Sequence, residues 1–216
     1  DDPKLQYRIR GLVPSTAFLS FIIPMAIYCL LYDTDLHTVR VAGKTDMSLW
    51  LVAVTTGYFV YDTFIVLFHI NIDGPAYLVH GVVCTFTYGV SVVFECLQYY
   101  GIGFLLFEST TLFVSARWLL AELDMRNSQL YFINGCFLLG TWFLFRIVMG
   151  YTLSILYWFD AAEEYKNPQS GLPSGVFIWY CTSNIILTYL NTTWFLKIVK
   201  GSLKVLSEQG QKKSVE

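Results

Sequence analysis

The stretch LWLVAVTTGYFVYDTFIVLFH, residues 49–69, decides the fold class of this chain. It is long enough to cross the hydrocarbon core of a bilayer, which takes about 20 apolar residues in a helix. Polar and apolar residues do not alternate along it, as they would in a membrane strand. Only Asp62 and His69 carry acidic or basic side chains, and Asp62 lies well inside the run. The stretch therefore predicts a membrane helix that places one carboxylate within the bilayer.

The composition of the whole chain supports a membrane protein. Hydrophobic residues make up 55% of the 216 positions and charged residues only 14%, with a mean hydropathy of +0.52. Soluble proteins use about 25% charged residues. The formal net charge of -2 lacks the excess of basic residues that marks nucleic-acid-binding proteins, so we expect no nucleic-acid partner.

Further runs of the same length predict an all-α, polytopic membrane helix bundle of about six transmembrane helices. The predicted segments run from Leu12 to Tyr32, Leu49 to His69, Tyr77 to Leu97, Gly103 to Ala121, Leu130 to Tyr151 and Val176 to Ile198. We find no internal repeat, so residues 12–199 are expected to form one transmembrane domain. An N-terminal segment, 1–11, precedes this domain, and a basic, polar tail, 200–216, follows it.

Lysine and arginine counts predict the orientation, because cytoplasmic loops of membrane proteins carry an excess of both. With six spans, the two termini and the loops near 71–76 and 122–129 lie on one side. That side carries Lys4, Arg8, Arg10, Arg126, Lys200, Lys204, Lys212 and Lys213, whereas the other side carries only Arg40, Lys44 and Lys166. We therefore expect both termini to be cytoplasmic.

The cysteines and histidines show no metal-binding pattern. The cysteines are Cys29, Cys84, Cys96, Cys136 and Cys181, an odd number with no C-x-x-C pair. We expect them to be small packing residues, because buried free cysteine commonly behaves as one. No H-x-x-x-H or other zinc-like spacing occurs, so the sequence predicts no metal site and no cofactor.

Seven acidic or basic side chains fall within the first five predicted spans. They are Asp62, His69, His80, Glu95, Glu108, Arg117 and Arg146. Such residues are costly in hydrocarbon and usually face the bundle interior or water, so each one is a candidate functional residue.

His80 and Asp62 are candidate catalytic residues. A histidine can act as general base, general acid or nucleophile, and a nearby carboxylate can orient it. The short turn NIDGP, residues 71–75, makes the second and third helices antiparallel neighbours, which lets Asp62 reach toward His80. The alternative is that the two side chains only hydrogen-bond across helices and have a structural role.

Two polar stripes and one ion pair are also predicted. Glu108, Thr111 and Ser115 lie on one face of the fourth helix, and the depth of Glu108 matches that of Arg146 on the fifth. We expect Glu108 and Arg146 to form a structural pair, because pairing makes buried charge tolerable. A second stripe, along the last span, consists of Asn184, Thr188 and Asn191. Stripes of this kind often hold helices together.

Four sequence blocks carry a family resemblance. They are GYFVYD at 57–62, YLVHG at 77–81, FESTTLFVSARWLL at 107–120, and Asn134 followed by FLFRI at 143–147. In order and spacing they resemble the TLC-domain family of multi-pass membrane proteins, which includes ceramide synthases and a larger group of lipid-associated proteins. The resemblance implies an intracellular membrane, such as the endoplasmic reticulum. It implies functional positions at Asp62, His80, Glu108, Arg117, Trp118 and Arg146.

The chain departs from the ceramide synthases at Gly81. Ceramide synthases carry two adjacent histidines followed later by an aspartate pair, whereas here Gly81 follows His80 and no such pair occurs in the spans. In the wider group a proline usually stands where this chain has Leu112. The chain is therefore more similar to the non-synthase members, and acyl transfer to a sphingoid amine is in doubt.

Three functions stay open from the sequence. The first is a lipid-binding or lipid-homeostasis protein with a polar-lined internal cavity for a membrane lipid or fatty acyl chain. Its expected lining is Tyr58, Asp62, His69, His80, Glu108, Ser115, Arg117 and Trp118. The second is an acyl-CoA-dependent acyltransferase that uses His80, oriented by Asp62. The third is a non-catalytic subunit of a larger membrane assembly.

Overall fold

The computed structural model describes the backbone of residues 3–213 and the side chains of residues 5–204. Within these limits the chain is helical and has no strand, as predicted. The α-helices are α1 (Pro3–Tyr32), α2 (Thr34–Thr38), α3 (Asp46–Phe68), α4 (Ile70–Asp73), α5 (Pro75–Phe94), α6 (Gln98–Leu105), α7 (Ser109–Glu122), α8 (Gln129–Thr141), α9 (Gly150–Lys166) and α10 (Ser174–Lys213). A 3-10 turn, Leu106–Glu108, joins α6 to α7, and a π-helical segment, Trp142–Met149, joins α8 to α9.

Five helical segments of the described chain are long and apolar enough to cross a membrane. They are Leu5–Tyr32, Asp46–Phe68, Pro75–Phe94, Gln98–Glu122 and Gln129–Lys166. The protein is thus an integral, multi-pass membrane protein, as its composition predicted.

The sixth predicted span lies within α10, whose asparagine and threonine side chains make it less apolar than the other five. α10 nevertheless packs antiparallel to α5 along most of that helix. Near one end of the contact, Trp179 Nε1 donates a hydrogen bond of 3.2 Å to Thr87 Oγ1. Near the other end, the rings of Trp194 and Tyr77 stack with centroids 5.2 Å apart. α10 therefore completes the bundle beside the five apolar segments.

The bundle has two ends, which we name after one residue in each. At the Asp73 end, Tyr7 donates a hydrogen bond to Asp73 and stacks on His69 with ring centroids 4.0 Å apart. At the Asp160 end, Arg40 donates two hydrogen bonds of 2.7 Å to Asp160. The first turns of α1 lie at the Asp73 end, and so does the part of α10 that follows its contact with the start of α5.

α3 and α5 form the most extensive helix pair of the bundle. Gly81 allows their close approach, because a Cβ atom at this position would lie 2.7 Å from Thr63 Oγ1. The Thr63 hydroxyl also lies 3.0 Å from that of Thr85, within hydrogen-bonding distance. Small residues and hydroxyl groups commonly join membrane helices in this way. The contact fixes the position of α5, the helix that carries His80.

The turn between α5 and α6 differs from the prediction. Glu95, which we expected inside the bilayer, lies in this turn and forms an ion pair with Lys44. Glu95 and Leu97 both have left-handed backbone conformations, with φ of 48° and 57°. As neither is glycine or asparagine, their types give no sign of such a turn. α6 consequently begins at Gln98, whereas the sequence predicted a span from Gly103.

The helices extend past the predicted membrane domain at both ends. The predicted segment 1–11 forms the first turns of α1 from Pro3 onward, and the predicted tail 200–216 continues α10 as far as Lys213. Residues 214–216 of that tail lie outside the described residues. A helix continues beyond its apolar run when no capping or breaker residue ends it, so hydropathy alone does not set these boundaries.

Candidate functional site

Arg146 lies in the centre of the bundle, in the π-helical segment Trp142–Met149, and its side chain is only 4% exposed. Its Nε donates hydrogen bonds to the Phe107 carbonyl, at 3.2 Å, and to the Thr110 hydroxyl, at 2.9 Å. Its Nη1 donates to Asn191 Oδ1 at 2.7 Å. π-Helical turns are rare and frequently occur at functional sites. Here the π-helical segment carries a buried cation that joins three parts of the fold.

Glu108 is the anionic partner of Arg146. Its Oε1 accepts a hydrogen bond of 3.3 Å from Arg146 Nη2, and its Oε2 accepts one of 3.0 Å from the Thr111 hydroxyl. Glu108 is the last residue of the 3-10 turn before α7. The structure thus places in contact the two charges that the sequence expected to pair across the bundle.

His80 completes a central cluster, which we define as His80, Glu108 and Arg146. The His80 Nε2 lies 3.9 Å from Glu108 Oε1, too far for a hydrogen bond. The Cys84 Sγ, one turn along α5, lies 3.7 Å from the same nitrogen. The Trp194 ring lies edge-on to the imidazole, with centroids 5.6 Å apart. The imidazole therefore faces the bundle interior rather than the bilayer.

Asp62, the expected partner of His80, does not contact it. Among the described side chains, no hydrogen bond or ion pair reaches the Asp62 carboxylate. The carboxylate beside His80 is instead that of Glu108. The rotation of α3 about its axis explains this. Thr63 faces α5 directly, and each residue of a helix is turned by about 100° from the one before. Asp62 is thereby turned away from α5.

The central cluster lies between two cavities. The outer cavity, toward the Asp73 end, has a volume of about 290 Å³, and the inner cavity has one of about 70 Å³. All three cluster residues line both cavities. One water molecule needs about 10–15 Å³ of such cavity volume. The inner cavity therefore has room for a few water molecules, and the outer cavity for a larger ligand.

The wall of the outer cavity combines charged, hydroxylated and aromatic side chains. Besides the central cluster, these are Tyr7, Arg8, Ser15, Tyr58, Phe59, Tyr61, Asp62, Asp73, Tyr77, Thr111, Ser115, Trp118, Trp142 and Trp194. The structure brings six members of the expected lipid-facing set together on this wall. They are Tyr58, Asp62, His80, Glu108, Ser115 and Trp118.

Two members of the expected set lie elsewhere. His69 follows the last residue of α3, so the regular spacing of the helix no longer sets the direction of its side chain. Its ring stacks on Tyr7 and lines neither cavity. Arg117 faces α8, with its guanidinium 4.1 Å from the centroid of the Tyr131 ring. Arg117 follows the cavity residue Ser115 by two positions, which is about 200° around the helix. His69 and Arg117 therefore do not belong to the lining of the outer cavity.

In the wall of the inner cavity, a larger apolar surface surrounds hydroxyl and amide groups. They belong to Thr87, Tyr88, Tyr100, Ser154, Tyr157, Tyr180, Ser183, Asn184, Thr188 and Asn191. Asn184 Nδ2 donates a hydrogen bond of 2.9 Å to Ser154 Oγ, which joins α10 to α9. The polar stripe predicted along the last span thus faces the bundle interior and lines the cavity, and two of its members, Asn184 and Asn191, also join α10 to other helices.

Arg8 and Asp73 were not expected among the site residues, because both lie outside the predicted apolar runs. The Arg8 guanidinium lies 5.6 Å from the centroid of the Trp118 ring, and Asp73 accepts the hydrogen bond from Tyr7. One indication was present: the predicted topology places both residues on the same side of the membrane, next to the ends of two spans.

The central cluster combines an imidazole, a carboxylate and a guanidinium. It can therefore donate and accept hydrogen bonds at a point that membrane helices surround. A histidine here can also exchange a proton with a bound molecule. Among the described side chains, no three histidine, cysteine, aspartate or glutamate residues lie close enough together to hold a metal ion.

Comparison with known proteins adds evidence that is independent of the geometry. A family model described as TLC domain matches residues 12–200. An uncharacterized TLC domain-containing protein of Schizosaccharomyces pombe is 27% identical over 190 residues, which are 87% of this chain but less than two thirds, 62%, of that protein. TLC domain-containing protein 4-B of Danio rerio is 28% identical over 84% of this chain and 68% of its own length. TLC domain-containing protein 4 of Homo sapiens is 24% identical over 98% and 79%. No solved structure matches the chain.

Proposed function

Because the chain belongs to the TLC-domain family, we propose that it binds a membrane lipid or fatty acyl chain in the outer cavity, as a lipid-binding or lipid-homeostasis protein. The observation that carries the proposal is the outer cavity itself, about 290 Å³ of space among membrane helices with charged residues in its wall. In this proposal the polar end of the lipid lies near Asp62, Ser115 and Trp118, on the Asp73 side of the central cluster.

The chemistry of the wall supports a ligand with a polar end. Intramembrane ionisable residues usually pair with one another or face a substrate path, because an isolated charge in hydrocarbon is costly. The Glu108 carboxylate meets this need through Arg146. Asp62 has no such protein partner among the described side chains, and it lines a space large enough for a ligand. An amphipathic ligand from the bilayer supplies the missing polar contacts.

Acyl transfer is a second candidate function, because His80 lies beside a carboxylate and lines a cavity, as a general base requires. The distance of 3.9 Å between His80 and Glu108 is longer than a hydrogen bond, and Asp62 does not orient the imidazole. Lipid binding gives a role to more of the residues in the cavity wall, and it does not need a carboxylate aligned with His80. We therefore prefer it.

We predict that a photo-crosslinkable phospholipid in a reconstituted membrane labels peptides that line the outer cavity. Ser115→Trp is expected to lower this labelling about tenfold, equivalent to about 1.4 kcal/mol of binding, because the indole fills space beside Trp118. Mass spectrometry of the labelled peptides measures the effect. Ser20→Trp is the matched control, since Ser20 is exposed on the outer face of α1 and lines neither cavity.

The outcome that contradicts lipid binding is equally specific. If Ser115→Trp protein stays folded and labelling is confined to the outer faces of the helices in both proteins, the cavity does not hold lipid. That result favours the third function, a non-catalytic subunit of a larger membrane assembly.

We also propose that both termini face the cytoplasm, in the endoplasmic reticulum or another intracellular membrane. Support comes from the basic residues at the Asp73 end and from the positions of α1 and α10 there. In cells permeabilised only at the plasma membrane, protease is expected to remove tags from both termini. A tag inserted between α9 and α10, at residues 168–172, is expected to stay protected. Terminal tags with opposite protection contradict this topology.

A further inference from the structure

Three carboxylates line the outer cavity, and Asp62 differs from the other two. Glu108 accepts a hydrogen bond from Arg146, and Asp73 accepts one from Tyr7. No hydrogen bond or ion pair to Asp62 occurs among the described side chains. As Asp62 lies within a membrane helix, its carboxylate is expected to meet a donor that the protein itself does not supply.

Arg8 has the complementary requirement in the same cavity. Its Nε is buried and has no hydrogen-bond acceptor in the described structure, while its guanidinium lies over the Trp118 ring. A guanidinium presents a planar fork of donors that matches a phosphate group, and it does not lose its proton. The cavity therefore lacks one anionic acceptor at Arg8 and one donor at Asp62.

We infer that the outer cavity binds the headgroup of a zwitterionic phospholipid with a primary ammonium group, its phosphate on Arg8 and its ammonium on Asp62. This inference rests on the proposed function and specifies the class of lipid. Two arginines and three carboxylates line the cavity, which leaves an excess of negative charge. A headgroup with an additional carboxylate, such as phosphoserine, adds to that excess and is disfavoured.

The aromatic residues distinguish a primary from a quaternary ammonium. A quaternary ammonium cannot donate hydrogen bonds and is recognised by free aromatic faces. In the outer cavity Trp142 already faces Arg146, at 4.5 Å, and the rings of Tyr77 and Trp194 stack on each other. The Trp118 ring likewise faces the guanidinium of Arg8. A primary ammonium needs no aromatic cage, and its N–H groups suit the Asp62 carboxylate.

The test compares two photo-crosslinkable phospholipids with the same diazirine acyl chain, a phosphatidylethanolamine and a phosphatidylcholine. Each is added in trace amount to phosphatidylcholine membranes that contain the full chain. We expect phosphatidylethanolamine to label the outer-cavity peptides about tenfold more, a ratio that one charge-assisted hydrogen bond can supply.

Two substitutions assign the two contacts. Asp62→Asn keeps the shape but removes the charge, and it is expected to lower phosphatidylethanolamine labelling to the phosphatidylcholine level without changing the latter. Arg8→Gln is expected to lower the labelling by both lipids to a similar extent, because both carry the phosphate. The matched controls are Asp124→Asn and Arg126→Gln, exposed residues between α7 and α8 that line neither cavity. They are expected to change neither signal.

Each outcome decides a separate statement. If both lipids label the cavity equally, or if the preference survives Asp62→Asn, the headgroup inference is overturned while lipid binding stands. If neither lipid labels the cavity, the proposed function fails as well. Size-exclusion chromatography checks the fold of each variant. Should Asp62→Asn fail to fold, the wild-type ratio and Arg8→Gln still decide the inference.

Discussion

Replacing Arg146 with methionine is expected to destabilise the folded bundle by about 3–5 kcal/mol, the usual cost of removing one partner of a buried ion pair. The change leaves the Glu108 carboxylate without its cation and Asn191 Oδ1 without its donor. Unfolding in mixed micelles with a denaturing detergent measures the loss. Glu108→Gln is expected to cost less, because Arg146 keeps its hydrogen bonds to Asn191 and Thr110.

A double-mutant cycle separates pairing from two independent effects. The variant with both Glu108→Gln and Arg146→Met is expected to lose less stability than the two single losses together, since it retains no unpaired charge. Arg40→Met is the matched control. The side chains of Arg40 and Asp160 are 36% and 18% exposed, against 4% and 14% for the buried pair, so we expect a cost of about 1 kcal/mol or less. Additive losses at the buried pair contradict the ion-pair role.

Replacing Gly81 with histidine, which restores the adjacent histidines of ceramide synthases, is expected to destabilise the protein by about 3 kcal/mol without producing acyl transfer. A Cβ at this position lies 2.7 Å from Thr63 Oγ1 and 3.5 Å from Thr63 Cα, so an imidazole forces α3 and α5 apart. Over-packing of this kind costs about 1–3 kcal/mol. Thermal unfolding and an assay with acyl-CoA and a long-chain amine measure the two effects.

Smaller substitutions at Gly81 and Thr63 test whether the loss of stability comes from this steric clash. Gly81→Ala is expected to cost about 1 kcal/mol or less, because the Thr63 hydroxyl can rotate and lose only its contact with Thr85. Thr63→Gly is expected to recover part of the stability lost in Gly81→His by removing the atoms that clash. A Gly81→His protein as stable as the wild type, or one that acylates the amine, shows that the helix contact does not exclude the second histidine.

The membrane helices could be predicted because an apolar run of about 20 residues is a strong pattern. α10 shows the limit of that pattern, since its polar residues face the inner cavity and lower its hydropathy although the helix packs along α5. The turn that contains Glu95 and Leu97 could not be predicted. Its left-handed backbone is stabilised in part by a hydrogen bond of 2.7 Å from the Leu97 amide to the Val41 carbonyl, a contact between segments far apart in sequence.

The site was predictable to the extent that depth along a helix determines contact. The contact between Glu108 and Arg146 could be predicted because these two buried charges of opposite sign lie at the same depth along their helices. The same argument suggested Asp62 as the partner of His80, yet the packing of α3 against α5 turns Asp62 toward the outer cavity. Rotation about a helix axis is set by packing, which a single sequence does not reveal.

The π-helical segment has a consequence for how related chains should be aligned. An insertion of one residue turns all later residues of a helix by about 100°, and a π-helical turn absorbs such an insertion. Deleting one residue from Trp142–Met149 would restore a regular α-helix and leave Gly150–Lys166 with the same rotational position relative to α8. Ser154 and Tyr157 would then still line the inner cavity and Asp160 would still face Arg40, whereas a deletion at the start of α9 would turn all three by about 100°. A homologous chain that is one residue shorter here must be aligned with its gap inside this segment, because a gap placed elsewhere would equate residues that point in different directions.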